Sequence, residues 1–133
     1  AGARAGYAVA SLMLAAELNK LRLPNSVSGT SAYLAEAALG AEGIHQMRQG
    51  VAVIASEREK LANALVQTFR VFPSQTNFLL VEALGQSGQA LFESLLSAGM
   101  VVRNFSQNKL TPNCLRITVR GPAENRKLLE ALA

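Results

Sequence analysis

Apolar residues along the chain switch between two periods, and each switch marks an element. Ile44, Met47, Val51, Ile54, Leu61 and Leu65 recur at spacings of three and four, with Arg58 falling on the same stripe. That is the helical period. It predicts one helix from Glu42 to Phe69, bent where Gly50 and Arg58 interrupt the stripe, and packed on a sheet. A coiled coil would need a longer clean repeat. The opposite face, with Glu57, Glu59, Lys60 and Asn63, reads as a solvated one. After Pro73 the run Asn77-Phe-Leu-Leu-Val-Glu82 does not alternate, which predicts a strand buried on both faces. Residues 88–99 form an amphipathic helical pattern, with Leu91, Phe92 and Leu95 inward and Gly99 as its stop. Met100–Arg103 and Cys114–Val119 read as strands around a polar loop, residues 104–113. Residues 121–133 close the chain as a helix, with Pro122 near its first turn and Leu128, Leu129 and Leu132 on one side.

The segment before the long helix is less regular. Residues 6–10, Gly-Tyr-Ala-Val-Ala, are β-compatible, and residues 11–21 are helix-like. Pro24 and its Asn, Ser and Gly neighbours break that helix. Residues 31–40 predict a short Ala-rich helix with Gly40 at its C-terminal cap. After the long helix the order is strand, strand, helix, strand, strand, helix. The expected fold class is α+β: a small, mostly antiparallel sheet covered by helices on one face. Residues 1–40 thus precede the segment 41–133 that the long helix begins.

Composition sharpens this picture. A chain of 133 residues suits one domain with a real core. It is 50% hydrophobic and 17% charged, which excludes a disordered tail. No run approaches the roughly 18 apolar residues of a membrane helix, and no secretory signal is visible. The first residues start without Met, as if in mid-motif, so the sequence is expected to be a piece of something longer. Cys114 is the single cysteine, so no intrachain disulfide forms, and a cytoplasmic setting is the expectation. The net charge of +4 is spread along the chain, which gives no stripe for nucleic acid.

All nine acidic residues are glutamates, and there is one histidine, His45. That excludes a Ser-His-Asp triad within this chain. His45 and Cys114 are the only strong nitrogen or sulfur ligands, so no metal site is expected. Lys20, Lys60, Lys109 and Lys127 fall on polar faces, helix ends or loops and read as solvated charges. Two arginines stand out. Arg103 closes an apolar run, and Arg116 sits inside Leu115–Val119. A strand facing a core has little use for a guanidinium, whereas arginine suits bidentate recognition of carboxylate or phosphate. Facing one cleft, the two would form a two-point clamp for a doubly anionic ligand. Alternatively each pairs with an internal glutamate such as Glu82, or snorkels at a strand edge.

Several short motifs fall in a familiar order: PSQTNFLLVE, LLSAGMVVRNFS, CLRITV and ENRKLLEAL. They resemble the C-terminal region of histidinol-phosphate aminotransferases, fold-type I enzymes dependent on pyridoxal phosphate. AGARAGY resembles the family's segment shortly after the cofactor lysine, and LRLPNSVS its Pro-Tyr-Asn-Val-Ser segment. The resemblance spans essentially the whole chain, and it implies that residues 1–40 are a remnant of the large cofactor-binding domain, its last strand and linking helices, and 41–133 the C-terminal small domain that begins with a long connecting helix. It implies that Arg4 binds the cofactor phosphate, that Arg116 holds the substrate α-carboxylate, and that Arg103 faces the substrate's distal phosphate. It also implies a homodimeric parent that exchanges an amino group between histidinol phosphate and 2-oxoglutarate in histidine biosynthesis. The Schiff-base lysine and the aspartate partner of the cofactor are expected upstream, so no catalytic residue is expected here and the chain alone should be inactive and free of cofactor. Asn25 stands where the family usually has Tyr, and Arg120-Gly121 where it has Gly-Thr. Relatives acting on aromatic amino acids or threonine phosphate remain a second reading. A third, from another class, is an autonomous nucleic-acid or ligand-binding module. Against it, Phe78 reads as buried and no exposed aromatic pair is evident.

Overall fold

The computed structural model describes residues 2–132. Its elements run α1 (Leu12–Leu21), α2 (Gly29–Leu39), α3 (Ala41–Leu65), β1 (Phe69–Val71), β2 (Phe78–Ala83), α4 (Gly88–Ser97), β3 (Arg103–Asn104), β4 (Cys114–Thr118) and α5 (Pro122–Leu132). The fold is α+β, as the pattern predicts. The chain separates between Arg48 and Gln49, inside α3, into two compact units.

In the first unit, serines open both short helices. Ser11 and Ser28 accept from the amides of Leu14 and Ser31, satisfying donors that a helix leaves unpaired at its start. No residue of α1 or α2 is buried. Residues 6–10 are not a strand. They run without ladder pairing and are exposed, Val9 at 90%. A strand needs a neighbour for its backbone groups, and among the described residues none pairs with them.

The second unit is built on a four-stranded sheet in the order β1-β2-β4-β3, every pairing antiparallel. Strands β2 and β3, joined through α4, leave one slot between them, and β4 fills it. Leu61 and Leu65 of α3, Leu91 and Leu95 of α4 and Leu128 of α5 pack on one sheet face, against Phe69, Leu79, Val81, Ala83, Leu115, Ile117 and Val119. Burying each such side chain contributes about 1.5–3 kcal/mol.

Three details differ from the sequence expectation. Helix α3 ends at Leu65, and Phe69 reaches the core from β1 instead. Phe69 continues the helical spacing, but it belongs to a β-prone Phe-Arg-Val run whose pairing with β2 wins. Strand β2 is buried on one face only: Leu79, Val81 and Ala83 face the helices, while Phe78, Leu80 and Glu82 are half-buried. Strand β3 is confined to Arg103–Asn104. Met100 is used up in closing α4, its amide donating to Leu95 at 2.8 Å and that of Gly99 to Leu96 at 3.0 Å. Gly99 has φ +77°, so its stop is the left-handed cap that glycine favours.

Candidate functional site

Directly opposed residues of an antiparallel pair point to the same side of a sheet. Arg103 is opposite Arg116, and Arg116 is opposite Leu80. Both guanidiniums therefore start from one row, on the face away from α3, α4 and α5. Arg103 is exposed and Arg116 half-buried, so they stand on an open surface. The Arg116 guanidinium carbon lies 5.0 Å from the centroid of the Phe78 ring. Its Nε is buried and has no hydrogen-bond partner among the described residues. Phe78 itself is half-buried, not the buried core residue that its apolar neighbours predict.

Glu82 does not neutralise either arginine. It stands opposite Arg70 and pairs with it, Nη1 to Oε2 at 3.5 Å. Arg70 in turn lies over the Phe72 ring at 5.1 Å. Among the described residues no ion pair involves Arg103 or Arg116. Two like charges directly opposed on adjacent strands repel, and a bound anion would relieve that repulsion. Arg70 over Phe72 and Arg116 over Phe78 thus put two half-buried aromatic rings under guanidiniums.

Arg4 lies in the first unit, exposed, just after a turn and with φ +52°. Asn25 also has positive φ, +55°, a conformation asparagine tolerates where tyrosine would be strained. Lys20 and Lys60 bond to Glu17 and Glu57, and all four lysines are exposed. His45 is exposed on α3. Cys114 is buried, and that burial, with the Glu82 carboxylate adding to it, pushes its thiol pKa up. No group of three or more potential metal ligands occurs among the described residues. No described helix is long and apolar enough to cross a membrane.

Three residues on the helices have partners that periodicity does not name. Glu57, expected on the solvated face, is buried: its Oε2 accepts from Asn125 Nδ2 at 3.1 Å and its Oε1 from Lys60 at 2.8 Å. The Lys60 bond, then the Asn125 bond, holds its carboxyl below the usual carboxylate range. Asn125 is also buried, and caps the turn after β4 by accepting from the Arg120 amide and donating to the Arg120 carbonyl. Arg58 donates to the Thr76 carbonyl at 3.0 Å. Its place on an apolar stripe was the one signal in the sequence that it has an internal partner.

A four-stranded antiparallel sheet with helices on one face and two opposed arginines on the other defines the class as an α+β domain. The family model for aminotransferase class I and II matches residues 1–132, and the chain belongs to that family. It is 38% identical over 135 aligned positions to the histidinol-phosphate aminotransferase of Xanthomonas axonopodis pv. citri (strain 306), covering 99% of this chain and 37% of that protein. The chain thus spans little more than a third of the length of the curated relative it matches. Among solved structures it resembles a histidinol-phosphate aminotransferase from Sinorhizobium meliloti in complex with pyridoxal-5'-phosphate. That match has a TM-score of 0.71 and 26% identity, over 89% of this chain and 32% of the other. The L-threonine-O-3-phosphate decarboxylase from Porphyromonas gingivalis shares the fold, with a TM-score of 0.73 and 23% identity over 93% of this chain and 39% of the other.

Proposed function

We propose that this chain is the substrate-gripping part of a pyridoxal-phosphate-dependent aminotransferase acting on histidinol phosphate and 2-oxoglutarate in histidine biosynthesis. One observation carries the reading: Arg103 and Arg116 are opposed in a single row, on one face, with no acidic partner among the described residues. Histidinol phosphate carries a phosphate and 2-oxoglutarate an α-carboxylate, and both need such anion contacts. In this reading Arg116 takes the α-carboxylate bidentately, and Arg103 takes the distal phosphate. The fork fixes the orientation of the reacting carbon, and positioning of this kind is a large part of catalysis.

The residues fit a phosphate-bearing cofactor in one respect: Arg4 presents an exposed guanidinium from a left-handed turn position. When bound, pyridoxal phosphate supplies the electron sink for carbanion chemistry. Among the four lysines, all exposed, none has the apolar surroundings of a Schiff-base lysine, so the catalytic lysine belongs to another part of the parent enzyme. Residues 1–40 then belong to the large domain and 41–133 to the small one. The exposed apolar residues of α1 and α2, such as Leu12, Met13 and Leu21, are covered by that domain or by a second subunit of a homodimer.

The test is the substrate preference of the complete protein, assayed on histidinol phosphate, phenylalanine and threonine phosphate. Preferred turnover of histidinol phosphate with 2-oxoglutarate is expected. Preference for phenylalanine, or release of carbon dioxide from threonine phosphate, would replace this reading by one of the related activities.

A further inference from the structure

We propose that Glu57 and Arg58, neighbours on α3, are positioning residues for the Arg116 guanidinium. Consecutive residues on a helix point in different directions, and these two reach different segments at the same end of the sheet, Arg58 the loop before β2 and Glu57 the first turns of α5. Arg58 Nη1 donates to the Thr76 carbonyl at 3.0 Å, and Nη2 to Gln75 Oε1 at 3.5 Å. That loop leads straight into β2. Its hydroxyls then fix the backbone of Phe78: Ser74 Oγ donates to the Phe78 carbonyl at 2.7 Å, and the Phe78 amide donates to Thr76 Oγ1 at 3.4 Å. Glu57 holds the other side. It accepts from Asn125, which grips both the amide and the carbonyl of Arg120 just after β4. The two sides meet where the Val119 amide donates to the Asn77 carbonyl at 2.9 Å. The start of β2 and the end of β4 are thus tied to successive side chains of one helix.

What stands at that end is the Phe78 ring, with the Arg116 guanidinium over it at 5.0 Å. No hydrogen bond to a described residue orients the Arg116 Nε. A cation over a ring face is attracted without being held in one direction, so the aim of the fork follows the place of the ring. A fork that must meet a carboxylate bidentately needs such support. The functional weight of this device rests on Arg116 being an anion-binding group.

The experiment uses the 133-residue chain with nitrogen-15-labelled arginine, and reads the Nε–Hε resonance of Arg116, assigned by its loss in Arg116→Lys. In the unaltered chain that resonance is expected to be displaced upfield by the ring, and Phe78→Leu removes the displacement. Arg58→Lys keeps the charge but not the two-point bond, and Glu57→Gln keeps the shape but not the carboxylate. Each is expected to lose most of the displacement while the amide resonances of Leu79 and Val81 show the core intact. Variants that lower the thermal midpoint yet leave the Arg116 resonance in place overturn the proposal, because a merely structural role predicts that result. Arg58→Gln serves as a second, harsher arm, and if it unfolds the two milder variants decide. Titration of the unaltered chain with inorganic phosphate separates the two claims. Failure of phosphate to move Arg103 or Arg116 removes the anion reading of the pair, whereas an unmoved resonance in the variants removes the positioning role.

Discussion

Arg116 carries a full charge in a strand whose neighbours Leu115 and Ile117 are almost completely buried. Its guanidinium carbon lies 5.0 Å from the centroid of the Phe78 ring, on the face away from the helices. In the complete enzyme, Arg116→Ala should remove a charged hydrogen-bond pair of about 1.5–3 kcal/mol. Steady-state kinetics should show KM rising for 2-oxoglutarate, the substrate that carries an α-carboxylate. Cys114 is the opposite case, a buried polar group whose thiol donates to the Pro112 carbonyl at 3.4 Å. Its thiol is held neutral by burial and by Glu82, and alkylation requires the thiolate. Iodoacetamide should label it slowly in the native chain and quickly in urea; rapid native labelling would contradict its burial. Glu57 adds a pH dependence. Its folded pKa is below the unfolded value, so the unfolded chain binds the extra proton as pH falls. The stability it contributes is present above the ordinary carboxylate pKa of about 4.3 and is lost as pH falls below it. Urea midpoints measured from neutral to acid pH should show this slope, and Glu57→Gln should flatten it.

Elements were legible where their cause is local. The Gly99 stop of α4 is a matter of backbone angle and two bonds within the helix's own last turn, so a glycine after an amphipathic run suffices to find it. Pro122 at the first position of α5 is readable for the same reason. The faces of β2 were not, because Leu79-Leu80-Val81 is apolar on both sides and hides the alternation that burial reveals. Glu57 was beyond reach, since its partner Asn125 is 68 residues away. The β2–α4 turn is another long-range device. Asn113, at φ +60°, accepts from the Gly88 amide and donates to the Ala83 and Gln86 carbonyls. A Cβ on Gly88 would lie 2.8 Å from the Asn113 carbonyl oxygen. Gly88→Ala should therefore cost about 1–3 kcal/mol by overpacking, read as a lower urea midpoint. An unchanged midpoint would show that the turn yields.

At the scale of the whole chain, the second unit has a core and helices α1 and α2 have no buried residue. Amides open locally with free energies that follow such burial. Hydrogen exchange should find β2 and β4 protected most strongly and α1 and α2 least. Equal protection throughout would mean that the first unit has found a covering surface, for instance in a second copy of the chain. The arginine pair belongs to the well-packed unit, which suits a site that must hold two charged forks in place. The central claim, that Arg103 and Arg116 grip the anionic groups of the two substrates, is tested most directly by comparing Arg103→Ala and Arg116→Ala in the complete enzyme. Arg103→Ala should raise KM for histidinol phosphate and spare 2-oxoglutarate, while Arg116→Ala should raise KM for 2-oxoglutarate, the substrate that carries an α-carboxylate. Small and equal effects of the two substitutions on both substrates would contradict it.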